Sequence, residues 1–85
     1  TEFGEHVRGW RMVLGLTAQQ VSERAGITRD TLRKIESGNP NVSFNSVTQV
    51  LRALGILDQL VDAADPLASD IGRLRAGRLT RKRAR

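Results

Sequence analysis

Cysteine is absent from the 85 residues, which excludes disulfides and thiolate zinc sites and fits a reducing cytoplasm. Tyrosine is absent too, and the aromatic complement is Phe3, Trp10 and Phe44. That leaves no row of rings on which single-stranded bases could stack, which argues against an RNA-recognition or oligonucleotide-barrel domain. The core must therefore be built mainly from Leu, Val, Ile and Ala, and it is thin. His6 is the only imidazole, and with no second ligand at helical spacing it reads as a surface residue rather than a metal or catalytic group. No run is apolar for long enough to span a bilayer, and the first residues lack the basic-then-apolar pattern of a secretion signal, so a soluble cytoplasmic protein is expected, with no membrane partner. Paired carboxylates in an evident pocket, a nucleophile with a base and a phosphate loop are all missing. Neither catalysis nor a cofactor or metal is expected.

What is there begins with charge. The formal net charge is +5, and it is unevenly spread. Residues 1–65 carry seven Lys or Arg against eight Asp or Glu, whereas residues 66–85 carry seven against Asp70 alone. The basicity lives in the tail, so a case for nucleic-acid binding by the rest depends on where its few cations sit. A chain of this length accommodates one compact domain, assigned here to residues 1–65, and an appended basic tail, residues 66–85.

Phe3, Val7, Trp10 and Leu14 recur at helical spacing, which predicts a first amphipathic helix over about 2–14 that Gly15 stops. Thr17 with Gln20 three residues on reads as a capping box for a second, short helix with Val21 and Ala25 inward. Gly26 suits the left-handed turn that ends it. Thr28 caps a third helix over about 29–36 with Leu32 and Ile35 to the core, and Ser37-Gly38-Asn39-Pro40-Asn41 breaks it. Ser43 caps a fourth whose inward face is Phe44, Val47, Val50, Leu51 and Leu54. Ile56, Leu57, Leu60, Val61 and Ala64 stripe a fifth, ended by Asp65-Pro66. Ser69 caps a further weak helix in which Gly72 and Gly77 each cost about 1 kcal/mol relative to Ala. The fold class is all-α.

Residues 18–37 thus form two short helices joined by a tight turn at Gly26, the spacing of a helix-turn-helix. Val21, Ala25, Ile27, Leu32 and Ile35 lock the pair and leave the outer face of the third helix free for a major groove about 12 Å wide. Leu16-Thr17-Ala18-Gln19-Gln20-Val21-Ser22-Glu23-Arg24-Ala25-Gly26-Ile27-Thr28, with Leu32-Arg33-Lys34-Ile35-Glu36-Ser37-Gly38, resembles the phage-repressor and Cro-type (XRE) family over residues 3–64. The resemblance implies a five-helix lambda-repressor-like DNA-binding domain. The family usually has Gln, which anchors the second helix to a phosphate, where this chain has Ala18, and Ser22 stands for its usual Ala. It also implies a salt bridge between Arg11 and Glu36.

The positions matching the family's base-reading and phosphate-holding residues are Arg29, Asp30, Thr31, Arg33 and Lys34. Arg29 is the first choice for base readout, since a guanidinium paired with guanine O6 and N7 contributes roughly 1–3 kcal/mol of discrimination. Asp30 either accepts from a cytosine amino group, holds Arg29 in position, or pairs with Lys34 four residues on. Thr17, Gln19, Thr28 and Ser43 lie at helix starts, where backbone N–H groups attract phosphates, and Asn39 and Asn41 could add donors. Capping and turn formation account for several of these residues equally well.

One recognition helix contacts only a few base pairs, so a homodimer on operator half-sites about 34 Å apart is expected. Leu57, Leu60 and Val61 are the candidate interface, or else ordinary core. Phe3-Gly4, Trp10, Asp65-Pro66-Leu67 and Ile71-Gly72-Arg73-Leu74-Arg75-Ala76 are similar to HipB-like antitoxins, which implies an autorepressor that also holds a HipA-like kinase toxin. The tail lies along DNA phosphates, holds a partner, or is solvated charge. The competing reading is a protein-interaction module that uses the scaffold without reading DNA.

Overall fold

A computed structural model describes residues 1–78; residues 79–85, most of the basic run, lie outside the described residues. The order is α1 (Glu2–Val13), α2 (Ala18–Ala25), α3 (Arg29–Glu36), α4 (Phe44–Ala53) and α5 (Leu57–Ala64), then a 3-10 turn over Pro66–Ala68 and α6 (Asp70–Leu74). No strand occurs among the described residues, as the all-α reading requires, and no helix is long and apolar enough to cross a membrane.

The helix starts follow from local hydroxyl chemistry. Thr1, Thr17, Thr28 and Ser43 each accept a hydrogen bond from the backbone N–H three residues on, at 3.0–3.1 Å. Each such cap stabilises its helix by about 1 kcal/mol. At Thr17 the box is complete, because the Gln20 side chain returns a bond to the Thr17 N–H at 2.9 Å. Ser69 caps α6 in the same way, and Asp65 both ends α5 and accepts from Leu67 N–H.

The core is Val7, Val21, Ala25, Leu32, Ile35, Val50, Leu51 and Leu54, contributed by α1 to α4, with α5 laid across the edge through half-buried Ile56, Leu57 and Leu60. This corrects the apolar stripes at three places. Of the first-helix stripe only Val7 is buried; Phe3, Trp10 and Leu14 are exposed. Phe44 in α4 and Val61 in α5 are 72% and 61% exposed, and Ala64 is exposed as well.

The roll of α1 has a definite cause. Its buried first-turn residue is Gly4, which lies against the backbone carbonyls of Ile35 and Glu36 at the end of α3. A Cβ at residue 4 would fall far inside van der Waals contact distance of the Glu36 oxygen. The face of α1 that meets α3 is therefore Gly4, Val7 and Arg11, and Trp10 is turned away from it. Gly4→Ala sets the roughly 1 kcal/mol helix-propensity gain of alanine against overpacking on rigid backbone, which costs about 1–3 kcal/mol, and the clash wins. Thermal unfolding should show Gly4→Ala less stable than wild type by up to about 2 kcal/mol. Gly9→Ala, where nothing lies within 4 Å, should be more stable by about 0.5–1 kcal/mol.

At the other end of that face, Arg11 Nε donates to Glu36 Oε2 at 2.9 Å and Nη2 to Oε1 at 3.2 Å, a two-pronged pair with side chains only 16% and 14% exposed. Arg11 Nη1 also donates to the Leu16 carbonyl at 3.3 Å. The bridge implied by the resemblance is present. It ties the end of α3 to α1 and, through Leu16, to the entrance of α2.

Candidate nucleic-acid interface

The pair α2 and α3 owes its crossing to a short turn and a small, tight contact. Gly26 takes φ 69°, ψ 31°, the left-handed region that only glycine enters freely, and Ile27 N–H closes back on the Ser22 carbonyl at 3.0 Å. Ser22 is buried, and its hydroxyl donates to the Ala18 carbonyl at 2.7 Å, so the polar atom is satisfied where a close helix approach needs a small residue. Val21, Ala25, Leu32 and Ile35 fill the space between.

With Leu32 and Ile35 inward, the helical period turns Arg29, Asp30 and Arg33 to solvent, and these three are exposed. Thr31 and Lys34 are half-exposed at the edges. Asp30 accepts from Arg33 Nη2 at 2.5 Å and faces Lys34 Nζ at 3.4 Å. Of the three roles left open for it, pairing with Lys34 is present, Arg33 joins as a stronger partner, and no bond to Arg29 is formed. Those hydrogen bonds, that from Arg33 first, hold the Asp30 carboxyl below its ordinary value. Asp30 therefore stays an ionised acceptor at neutral pH, partly neutralising Arg33 and Lys34. Arg29 has no ion pair among the described residues and is the α3 cation left to engage a ligand with its full fork of donors.

The remaining predicted residues fall into two groups. Thr17, Gln19 and Thr28 lie at the helix starts, with their hydroxyl and amide groups already in local bonds: Thr17 to Gln20 N–H, Gln19 Nε2 to Glu23 Oε1 at 2.7 Å, and Thr28 to Thr31. The Thr17–Gln20 box leaves the backbone N–H groups of Ala18 and Gln19 at the electropositive end of α2. Asn39, Asn41 and Ser43 occupy the connection between α3 and α4. There Asn39 Oδ1 accepts from Asn41 N–H at 2.8 Å, and Ser43 Oγ bonds Ser46. The Asn39 and Ser43 side chains serve turn and cap first.

The structure adds one residue that the sequence reading missed. Arg8, on α1, lines an open groove of about 580 Å³ together with Ala18 of α2 and Arg29, Asp30, Arg33 and Glu36 of α3. A basic residue one turn before the pairing Arg11 was visible in the chain. What was not visible is that α1 carries it to the flank of α3.

Residues 2–64 match the family model described as a helix-turn-helix domain. A protein of Methanothermobacter thermautotrophicus (strain Delta H), described as an uncharacterized HTH-type transcriptional regulator, is 39% identical over 49 residues, which span 58% of this chain and 71% of that protein. No solved structure matches the chain. Since the family match runs from α1 to the end of α5 and takes in the α2–α3 pair built above, the chain belongs to the helix-turn-helix domain family, of the XRE-like kind that its sequence resembles.

Proposed function

We propose that this protein is a transcriptional regulator that binds duplex DNA with α3 in the major groove, as a homodimer on a palindromic operator, and represses its own gene. The observation that carries this reading is the outer face of α3: Arg29, Asp30, Arg33 and Lys34 stand clear of the core on a rigid two-helix unit. A helix with that face fits the width of a major groove, and its side chains meet base edges and flanking phosphates. The relative's description as a transcriptional regulator points the same way. Arg29 reads a base; Arg33, Lys34 and the N–H groups at the start of α2 hold phosphates, with Gln19, Thr28, Thr31, Asn39, Asn41 and Ser43 bordering them.

Dimerisation follows from the small reach of one such helix. An apolar groove of about 470 Å³ between α4 and α5, lined by Phe44, Leu57, Leu60 and Val61, offers a contact that a second copy would cover. A dimer seated over a promoter blocks transcription without any activating surface, so repression is its simplest effect.

Selection from a library of random duplexes tests the reading. It should enrich an inverted repeat with half-site centres one helical turn apart, about 34 Å. Lys34→Ala should weaken binding to the enriched and to random duplexes alike and reduce the steepness of the salt dependence by about one contact. A library from which no sequence emerges, or a Lys34→Ala protein that holds both duplexes as tightly as wild type, overturns the proposal.

A further inference from the structure

The groove between α1 and α3 carries an excess of positive charge that the fold does not use. Arg8, Arg29 and Arg33 line it together with two carboxylates, Asp30 and Glu36, which Lys34 and Arg11 pair from outside the lining. Both carboxylates are spoken for: Glu36 is bound from the core side by Arg11, and Asp30 by Arg33 and Lys34. Arg8 and Arg29 face the same opening with no ion pair among the described residues. Ala18 lines the same opening, and its methyl group fills little of the space. With Arg29 engaged on a base edge, Arg8 is the guanidinium at this opening left to offer its planar fork to an oxygen-rich anion such as a phosphate.

We infer that this groove receives a phosphodiester of the bound duplex and that Arg8 is its holding residue. The inference rests on the major-groove reading above. When α3 lies in the groove, the strand that walls it passes alongside the flank on which α1 stands, and Arg8 reaches that strand. Arg8 then fixes how deeply and at what tilt α3 is seated, without reading a base. Binding energy arises from the counterions a neutralised phosphate releases, so its signature is salt dependence rather than sequence preference.

The test compares wild type, Arg8→Ala and Arg8→Lys on the selected duplex and on a random duplex, between about 50 and 200 mM salt. Arg8 is exposed, so the variants should unfold at the wild-type temperature. Arg8→Ala should weaken both duplexes by the same factor and lower the slope of log affinity against log salt by about 0.9. Across that fourfold range wild type then loses about 3.5-fold more affinity than the variant. Arg8→Lys, which keeps the charge, should retain the wild-type slope. An unchanged slope in Arg8→Ala, while Lys34→Ala still weakens both duplexes, overturns this inference and leaves the major-groove reading standing. A loss confined to the selected duplex would make Arg8 a base reader and overturns it too. Inorganic phosphate that competes with duplex for wild type but not for Arg8→Ala, at fixed ionic strength, would show a site for free anion instead of backbone. A wild-type protein with no duplex affinity removes both readings together.

Discussion

Replacing Glu36 by alanine should lower the unfolding temperature by about 10–20 °C, more than any exposed substitution in the chain. Removing one member of a fully buried ion pair costs about 3–5 kcal/mol, because the partner's charge is left without compensation. Here both side chains keep about a seventh of their surface, and Arg11 retains its bond to the Leu16 carbonyl, so about 2–3 kcal/mol is the appropriate figure. In a domain of this size each kcal/mol shifts the midpoint by about 4–8 °C. The effect should be specific to the orphaned charge. Arg11→Met combined with Glu36→Leu, which removes both charges and keeps the volume, should regain most of the lost stability. Calorimetry that finds Glu36→Ala within about 2 °C of wild type would mean that water already screens the pair and that α1 is held to α3 by Gly4 and Val7 alone.

For Arg29→Ala the expected result is a loss of choice rather than of grip. A guanidinium set on guanine O6 and N7 discriminates against the wrong base pair by about 1–3 kcal/mol, roughly ten- to a hundredfold. Arg29 is the α3 cation with no ion pair among the described residues, whereas Arg33 and Lys34 share Asp30, so its donors are available in the free protein. The variant should bind the selected duplex about ten- to a hundredfold more weakly and a random duplex nearly as well as before. Binding curves for the two should draw together. If the ratio of selected to random affinity stays at the wild-type value, the base reader is another residue. If both affinities fall in parallel, Arg29 is a phosphate ligand. Asp30→Ala is the useful companion, because it releases Arg33 and Lys34 without touching Arg29.

The helices and their limits were legible because the signals that set them are local. Thr17 with Gln20, Thr28, Ser43 and Gly26 each act within three or four residues, and the structure realises every one of those caps and turns. The α2–α3 unit followed, since two capped helices with Val21, Ala25, Leu32 and Ile35 on facing sides have one way to close. What stayed hidden was the rotation of a helix about its own axis. Phe3, Trp10 and Leu14 form as regular a stripe as Val7 does, but glycine contributes nothing to a count of apolar side chains. Gly4, whose lack of a side chain lets α1 rest on the α3 carbonyls, decides the roll. Phe44 and Val61 failed for a related reason: a thin core has too few neighbours to cover every apolar side chain on a short helix.

At the site, the residues on α3 could be named from their period, and their partners could not. Asp30 has cations at three and four residues, and spacing alone does not choose between them; the structure engages both. Arg11 and Glu36 are 25 residues apart, beyond any local rule, and came only through family likeness. Arg8 belongs to the same class of long-range placements, and no likeness pointed to it.

The short reach of these contacts bears on how the chain attains its shape. The widest loops closed by side-chain bonds among the described residues are those of Arg11 with Glu36 and of Arg52 with the Arg24 carbonyl, 25 and 28 residues. The rest of what orders α1 to α5 is caps, turns and helix packing that reaches past at most one intervening helix, as in the α1–α3 and α2–α4 contacts. Helical chains built from such near neighbours cross their folding barrier in microseconds to milliseconds, because little entropy is lost before the first contacts form. A polypeptide emerging from the ribosome would thus close its core once α4 is free, because Val50 and Leu51 complete the cluster around Val21 and Leu32.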